Sequence, residues 1–129
     1  MDARLPEHTR LMSLALVVVT AAQLLDLGTF VRMIGVHGAT AEANPLVAGM
    51  LANHGVTFVA VAKIAALALV VAIIVVLAGR DSTVRRAHPR LAAFVAFAAI
   101  TAGLIGGWTN AGAILGGWTE VVAIVRSMV

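Results

Sequence analysis

The chain has 129 residues, a length that suits a single domain, and 61% of them are hydrophobic while only 12% are charged. A soluble globular domain carries about twice that fraction of charged residues, and a chain of this length cannot hide so much apolar surface in one core. The mean hydropathy of +1.03 therefore predicts an all-α integral membrane protein whose excess apolar surface is covered by lipid. The net charge is +3, and the arginines lie in short segments between apolar runs, a pattern of membrane topology rather than of nucleic-acid binding.

The first predicted membrane span covers residues 11–36, an apolar run interrupted by Gln23, Asp26 and Arg32. At 1.5 Å per residue it is long enough to cross a hydrocarbon core of roughly 30 Å. A cleaved signal peptide with its apolar region at residues 11–19 is the alternative. The apolar run continues well past the possible cleavage site, which favours a membrane span.

Residues 37–55 form the predicted first loop, which contains no Lys or Arg. Asn44 and Pro45 indicate a helix start, because Asn caps free backbone N–H groups and Pro is tolerated at the first helical position. A short helix over residues 45–53 should follow. Its apolar residues repeat at helical spacing, so we expect it to lie in the membrane interface rather than to cross.

The second predicted span covers residues 56–79 and carries one charge, Lys63. The segment 80–90 that follows contains four arginines. By the positive-inside rule, we expect this segment and the N-terminus on the cytoplasmic side of the inner (plasma) membrane and the 37–55 loop outside.

A third span is predicted over residues 91–115, because one straight helix to the end of the chain would be far too long for the bilayer. A break at Gly116-Gly117 and a short amphipathic helix over residues 118–128 on the outer side should follow. The alternative places the break at Gly106-Gly107 and makes residues 108–128 a fourth crossing. We favour three spans.

Polar residues inside the apolar runs are the candidate functional residues, since a charge in hydrocarbon costs several kcal/mol unless it meets a partner or water. Asp26 and Lys63 lie at depths that differ by only about 5 Å when counted from the outer ends of their spans, so their side chains can pair. The other polar residues that reach a similar depth or the loop just above are Gln23, Thr29, Glu42, Asn44 and Asn110. This cluster is either a structural contact that fixes the helix register or a binding or proton-handling site.

Small residues repeat along the third span at the spacing of helix-packing motifs. The pairs are Gly103 with Gly107, Gly112 with Gly116, and Ala102 with Gly106. Such stripes let helix backbones approach closely, and they predict either tight packing within the chain or self-association, of which we favour self-association.

No cofactor or metal site is predicted. The chain has no cysteine, and its four histidines lie in loops or tails, where they cannot serve as axial ligands inside a membrane helix. The spacing of His37, Glu42 and His54 matches no compact metal-binding motif. None of the serines has a histidine at a matching depth to act as its base.

The chain resembles an uncharacterised family of small bacterial membrane proteins, a domain of unknown function with three helices. The residues that carry this resemblance are Asp26, Thr29, the Glu42-Ala43-Asn44-Pro45-Leu46 stretch, Lys63 and Asn110, of which the E-x-N-P-L motif is the most specific. The resemblance covers most of the region from the first span to the third. That family has no established activity, so the resemblance implies a topology and a polar cluster but no mechanism.

Three classes of function remain open from the sequence. The favoured one is a non-enzymatic membrane component, either a homo-oligomer or an accessory subunit of a larger complex, because the chain is small and lacks catalytic constellations. A transporter or channel that uses Asp26 and Lys63 is the alternative, although the nearly pure apolar inner halves of the second and third spans disfavour a simple pore. An intramembrane enzyme with Glu42 as its base is the third.

Overall fold

The computed structural model describes residues 7–78 and 88–116. These residues form the helices α1 (Glu7–His37), α2 (Pro45–Ala78) and α3 (Pro89–Ile114), with a short 3-10 turn at Ala39–Ala41. All three helices are long and apolar enough to cross a membrane, and the described residues contain no strand. The prediction of an all-α chain with three candidate spans is therefore confirmed. The predicted helix over residues 118–128 lies outside the described residues.

α2 begins where Asn44 and Pro45 predict a helix start. The side-chain Oδ1 of Asn44 accepts hydrogen bonds from the backbone N–H groups of Leu46 and Val47, at 3.0 and 3.5 Å. These bonds satisfy two of the donors that the first turn of a helix leaves free.

Gly55 divides α2 into two helical stretches. Its backbone angles are φ 79° and ψ 172°, a conformation that is essentially restricted to glycine. The short helix predicted over residues 45–53 corresponds to the stretch before Gly55, and the span predicted over residues 56–79 corresponds to the stretch after it. That the first stretch lies in a membrane interface stays a prediction.

α1 and α3 run in the same direction and form the most extensive helix contact. At one end, residues near the start of both helices line a common groove; we call this the Arg90 end. At the other, the His37 end, Nε2 of His37 lies 3.5 Å from the carbonyl oxygen of Ile114. α2 runs the opposite way, and the His88 N–H donates to the carbonyl of Leu77 at 2.9 Å, which places the end of α2 beside the start of α3.

α3 continues without interruption through Gly106 and Gly107 and ends at Ile114. This excludes the alternative break at Gly106-Gly107. Gly116, two residues past the end of the helix, has a φ of 103°, in agreement with a break that starts at this residue.

Two small clusters of buried apolar side chains join the helices. The cluster towards the His37 end consists of Phe30, Met33, Leu51 and Val59. The cluster towards the Arg90 end consists of Val19, Ile74 and Ala96. Most other large apolar side chains are exposed, among them Val61, Phe97 and Trp108. Soluble monomers rarely expose continuous apolar surface of this kind, whereas it is suited to lipid.

Candidate functional site

Asp26 is the centre of the polar contacts between the helices. It lies on α1, is only 8% exposed, and its Oδ2 is 2.5 Å from the ammonium nitrogen of Lys63 on α2. The ion pair joins two residues that are 37 positions apart in the sequence. Its presence agrees with the similar depths that the sequence predicts for the two side chains.

Asn110 on α3 binds the other carboxylate oxygen. Its Nδ2 donates to Oδ1 of Asp26 at 3.1 Å and lies 3.3 Å from the backbone carbonyl oxygen of the same residue. It also lies 3.5 Å from Oγ1 of Thr29, whose hydroxyl donates to the backbone of the preceding turn. The two oxygens of Asp26 are therefore held by two different helices. We call the group formed by Asp26, Thr29, Lys63 and Asn110 the polar clasp.

Lys63 has a second favourable contact in the clasp. Its ammonium nitrogen lies 5.1 Å from the centroid of the Phe30 ring, within the range at which a cation is attracted by the face of an aromatic ring. The side chain of Lys63 is 29% exposed, against 12% for that of Asp26. The cation thus lies at the edge of the helix bundle, and the carboxylate lies inside it.

Glycines on α3 make room for the clasp. A Cβ atom at Gly106 would overlap Oδ1 of Asp26 and would lie 2.8 Å from its Cγ, and a Cβ at Gly103 would lie 2.8 Å from the backbone of Ala22. At Gly107 it would lie 3.2 Å from the side chain of Leu25. The Gly103/Gly107 stripe is therefore used for packing α3 against α1 within the chain, where close approach of the backbones is possible only without side chains.

The second glycine pair does not form a comparable stripe. Gly112 lies in the last turn of α3, and Gly116 lies beyond the end of that helix. Because the helix stops between them, the two residues do not share one continuous helical face.

The other predicted members of the cluster have separate contacts. Gln23 lies one turn from Asp26, but its Nε2 donates to the carbonyl of Ala99 at 2.6 Å. Glu42 accepts a hydrogen bond from the backbone N–H of Asn44 at 2.7 Å, and Asn44 caps α2. The structure thus brings together four of the seven residues, adds a neighbouring interhelical bond from Gln23, and uses Glu42 and Asn44 in the turn before α2.

The Asp26 carboxylate is enclosed within the clasp, whereas Lys63 remains partly exposed at its edge. Among the described residues, no buried side-chain nitrogen or oxygen lacks a hydrogen-bond partner. The apolar cluster around Phe30 lies on one side of the clasp, and that around Val19 lies on the other. An arrangement of this kind holds helices in register, because each polar group finds its partner only in one relative position.

Three residues of this site were not predicted: Gly106 as a neighbour of the carboxylate, Ala99 as the acceptor for Gln23, and Phe30 beneath Lys63. Gly106 belongs to a small-residue pair that is visible in the sequence, but that pair indicates only close packing. A backbone acceptor such as that of Ala99 leaves no signal in the sequence.

Metal-binding groups are not assembled in the part of the chain that the structure describes, where no three His, Asp or Glu side chains converge. The His54 ring packs on Phe58 with its centroid 4.6 Å away, and His37 lies near the end of α3. The rings of His37 and His54 thus lie against a backbone carbonyl and an aromatic ring.

No protein-family model, curated protein or solved structure matches this chain. The resemblance to the E-x-N-P-L family therefore stays a prediction. The function of the chain is inferred from its own residues.

Proposed function

We propose that the chain is a three-span integral membrane protein of the inner membrane, with its N-terminus and the 80–90 segment in the cytoplasm. The lengths and exposed apolar surfaces of the three helices support insertion. The arginines of the 80–90 segment and the lack of Lys and Arg in residues 37–55 support this orientation.

The absence of cysteine from the chain allows a direct test of this topology. Single Thr40→Cys and Ser82→Cys variants are labelled in intact cells with a membrane-impermeant maleimide. We expect labelling of the residue 40 variant without cell lysis and of the residue 82 variant only after lysis. The reverse pattern would contradict the orientation, and extraction of the chain by carbonate without detergent would contradict insertion.

We further propose that the chain is a non-enzymatic component of a membrane assembly, in which the polar clasp fixes the helices and their outward faces contact a partner. One observation carries this proposal: both carboxylate oxygens of Asp26 are engaged by the chain's own groups. A binding or catalytic carboxylate has to be open to its ligand, whereas this one is enclosed between apolar clusters.

The partner is either another membrane protein or a further copy of the chain. Gly103 and Gly107 do not serve this contact, because α1 occupies them. The outward faces of the helices, with side chains such as Phe94, Phe97 and Trp108 on α3, are the surfaces that remain.

The test is purification of the tagged full chain from its native membranes in polymer nanodiscs, followed by native mass spectrometry. We expect particles that contain a stoichiometric partner or several copies of the chain. Particles with a single copy and no other protein would contradict the proposal.

A transporter that uses Asp26 and Lys63 is the alternative, and the partial exposure of Lys63 favours it. Against it, fully buried Val19 and Ile74 lie between the clasp and the Arg90 end, so an ion would have to cross an apolar barrier. Proton or cation flux into proteoliposomes that disappears in Asp26→Asn would establish the alternative.

A further inference from the structure

A groove at the Arg90 end lies between α1 and α3, away from the polar clasp. Leu11, Met12 and Ala15 line it on α1, and Arg90, Ala93 and Ala96 line it on α3. Its volume is about 340 Å³, which falls within the range of small-molecule sites. Because the alanine side chains are small, they leave the space between the two helices unfilled.

The groove is apolar along its length and cationic at one edge. From Arg90 to Ala96 it extends about 9 Å along the helix axis, and Arg90 is the single charged residue among the described residues that line it. Arg90 is exposed and makes no ion pair with residues 10–78 or 88–116. The start of α3 adds to the positive potential, because its first turn has no acidic residue and no side-chain cap.

We propose that this groove binds one anionic phospholipid, with an acyl chain between α1 and α3 and the phosphate at Arg90. The charge and the shape of the site both point to this ligand. A chain of methylene groups fits the apolar walls, and a guanidinium at the membrane surface pairs with phosphate. The inference goes beyond the proposed function and rests only on the proposed membrane insertion, which carbonate extraction of the wild-type chain tests separately.

The test uses the full chain, purified in detergent, stripped of lipid and titrated in native mass spectrometry. The two probes are phosphatidylglycerol and phosphatidylcholine with identical acyl chains, and glycerol phosphate serves as the headgroup without an acyl chain. We expect phosphatidylglycerol to bind more tightly than phosphatidylcholine and glycerol phosphate to leave the chain unoccupied.

Two variants locate the lipid. Arg90→Gln should weaken phosphatidylglycerol binding about fivefold, the factor that one arginine near an anionic headgroup contributes. It should weaken phosphatidylcholine binding less, because the choline ammonium offsets the charge of the phosphate. Ala93→Leu should weaken both lipids, because the larger side chain fills the groove. Both positions are exposed, so the fold should be retained, which thermal unfolding in detergent verifies. Arg10→Gln is the matched control, since Arg10 lies at the same end but does not line the groove.

Three results would overturn the proposal. Equal affinity of the wild type for the two lipids would remove the role of Arg90. Equal effects of Arg90→Gln and Arg10→Gln would show a diffuse attraction to the surface. A change of oligomeric state in Ala93→Leu, without a change in lipid binding, would assign the groove to a second copy of the chain.

Discussion

The carboxylate of Asp26 lies against the backbone of Gly106, so that an acidic side chain on α1 occupies the place of a missing side chain on α3. Oδ1 is held there by Asn110, and Oδ2 is held by Lys63. A residue larger than glycine at position 106 would have to displace the Asp26 carboxylate, which Lys63 on α2 and Asn110 on α3 hold in place.

Gly106→Ala should therefore destabilise the chain by about 1–3 kcal/mol, the usual cost of overpacking a well-packed site. The thermal unfolding midpoint in detergent measures the effect. Gly35→Ala is the control, because a Cβ there meets nothing within 4 Å and alanine favours a helix. A neutral Gly106→Ala variant would mean that Asp26 is free to move.

Gly103 and Gly107 should differ in their tolerance of alanine. A Cβ at Gly103 would meet the backbone of Ala22 at 2.8 Å, whereas at Gly107 it would meet the Leu25 side chain at 3.2 Å. Because a backbone cannot move aside but a leucine side chain can, Gly103→Ala should lower the unfolding midpoint more than Gly107→Ala. The reverse order would contradict the packing of α3 on α1.

The Asp26–Lys63 ion pair should show strong coupling in a double-mutant cycle. Lys63→Met leaves the Asp26 side chain, which is 12% exposed, without its cation and should cost about 2 kcal/mol, less than for a fully buried pair because Lys63 is partly exposed. Asp26→Asn should cost less, since the cation left behind lies at the edge of the bundle.

The double variant Asp26→Asn/Lys63→Met should lose less stability than the sum of the two single variants. Denaturant-dependent unfolding in detergent gives all four corners of the cycle. Strict additivity of the two changes would mean that the ion pair does not contribute to stability.

Gly55→Ala tests the kink in α2. The φ of 79° at this residue is strained for any side chain, so the substitution should cost about 1–3 kcal/mol or straighten the helix. Gly49→Ala, six residues earlier in the same helix and with open space around it, should not lower the unfolding midpoint. Equal unfolding midpoints for the two variants would indicate that the kink is not fixed by Gly55.

The sequence predicts the axial positions of the elements better than their rotation. Counting residues from the ends of apolar runs places Asp26 and Lys63 at one depth, because the rise per residue of a helix is constant. It also predicts the start of α2 at Asn44-Pro45, since capping is a local interaction.

Rotation could not be predicted because apolar residues surround each helix on all sides, so that no face is distinguished as the inner one. Gln23 and Asp26 both face α3, but Gln23 binds the backbone oxygen of Ala99 there and does not join the clasp. The contact between Asp26 and Gly106 also depends on how α1 and α3 are rotated about their axes. The same rotation decides whether the Gly103/Gly107 stripe packs within the chain or is open to a second copy.

The parallel arrangement of α1 and α3 imposes an order on the biogenesis of the chain. The two helices that contact each other most are separated by the whole of α2, and Asn110 follows Asp26 by 84 residues. During synthesis, which proceeds from the N-terminus, Asp26 therefore emerges without a partner and meets Lys63 first. The ribosome has to complete α3 before Asn110 and Gly106 can enclose the carboxylate, so a nascent chain that is halted after α2 carries its ion pair on an open helix hairpin.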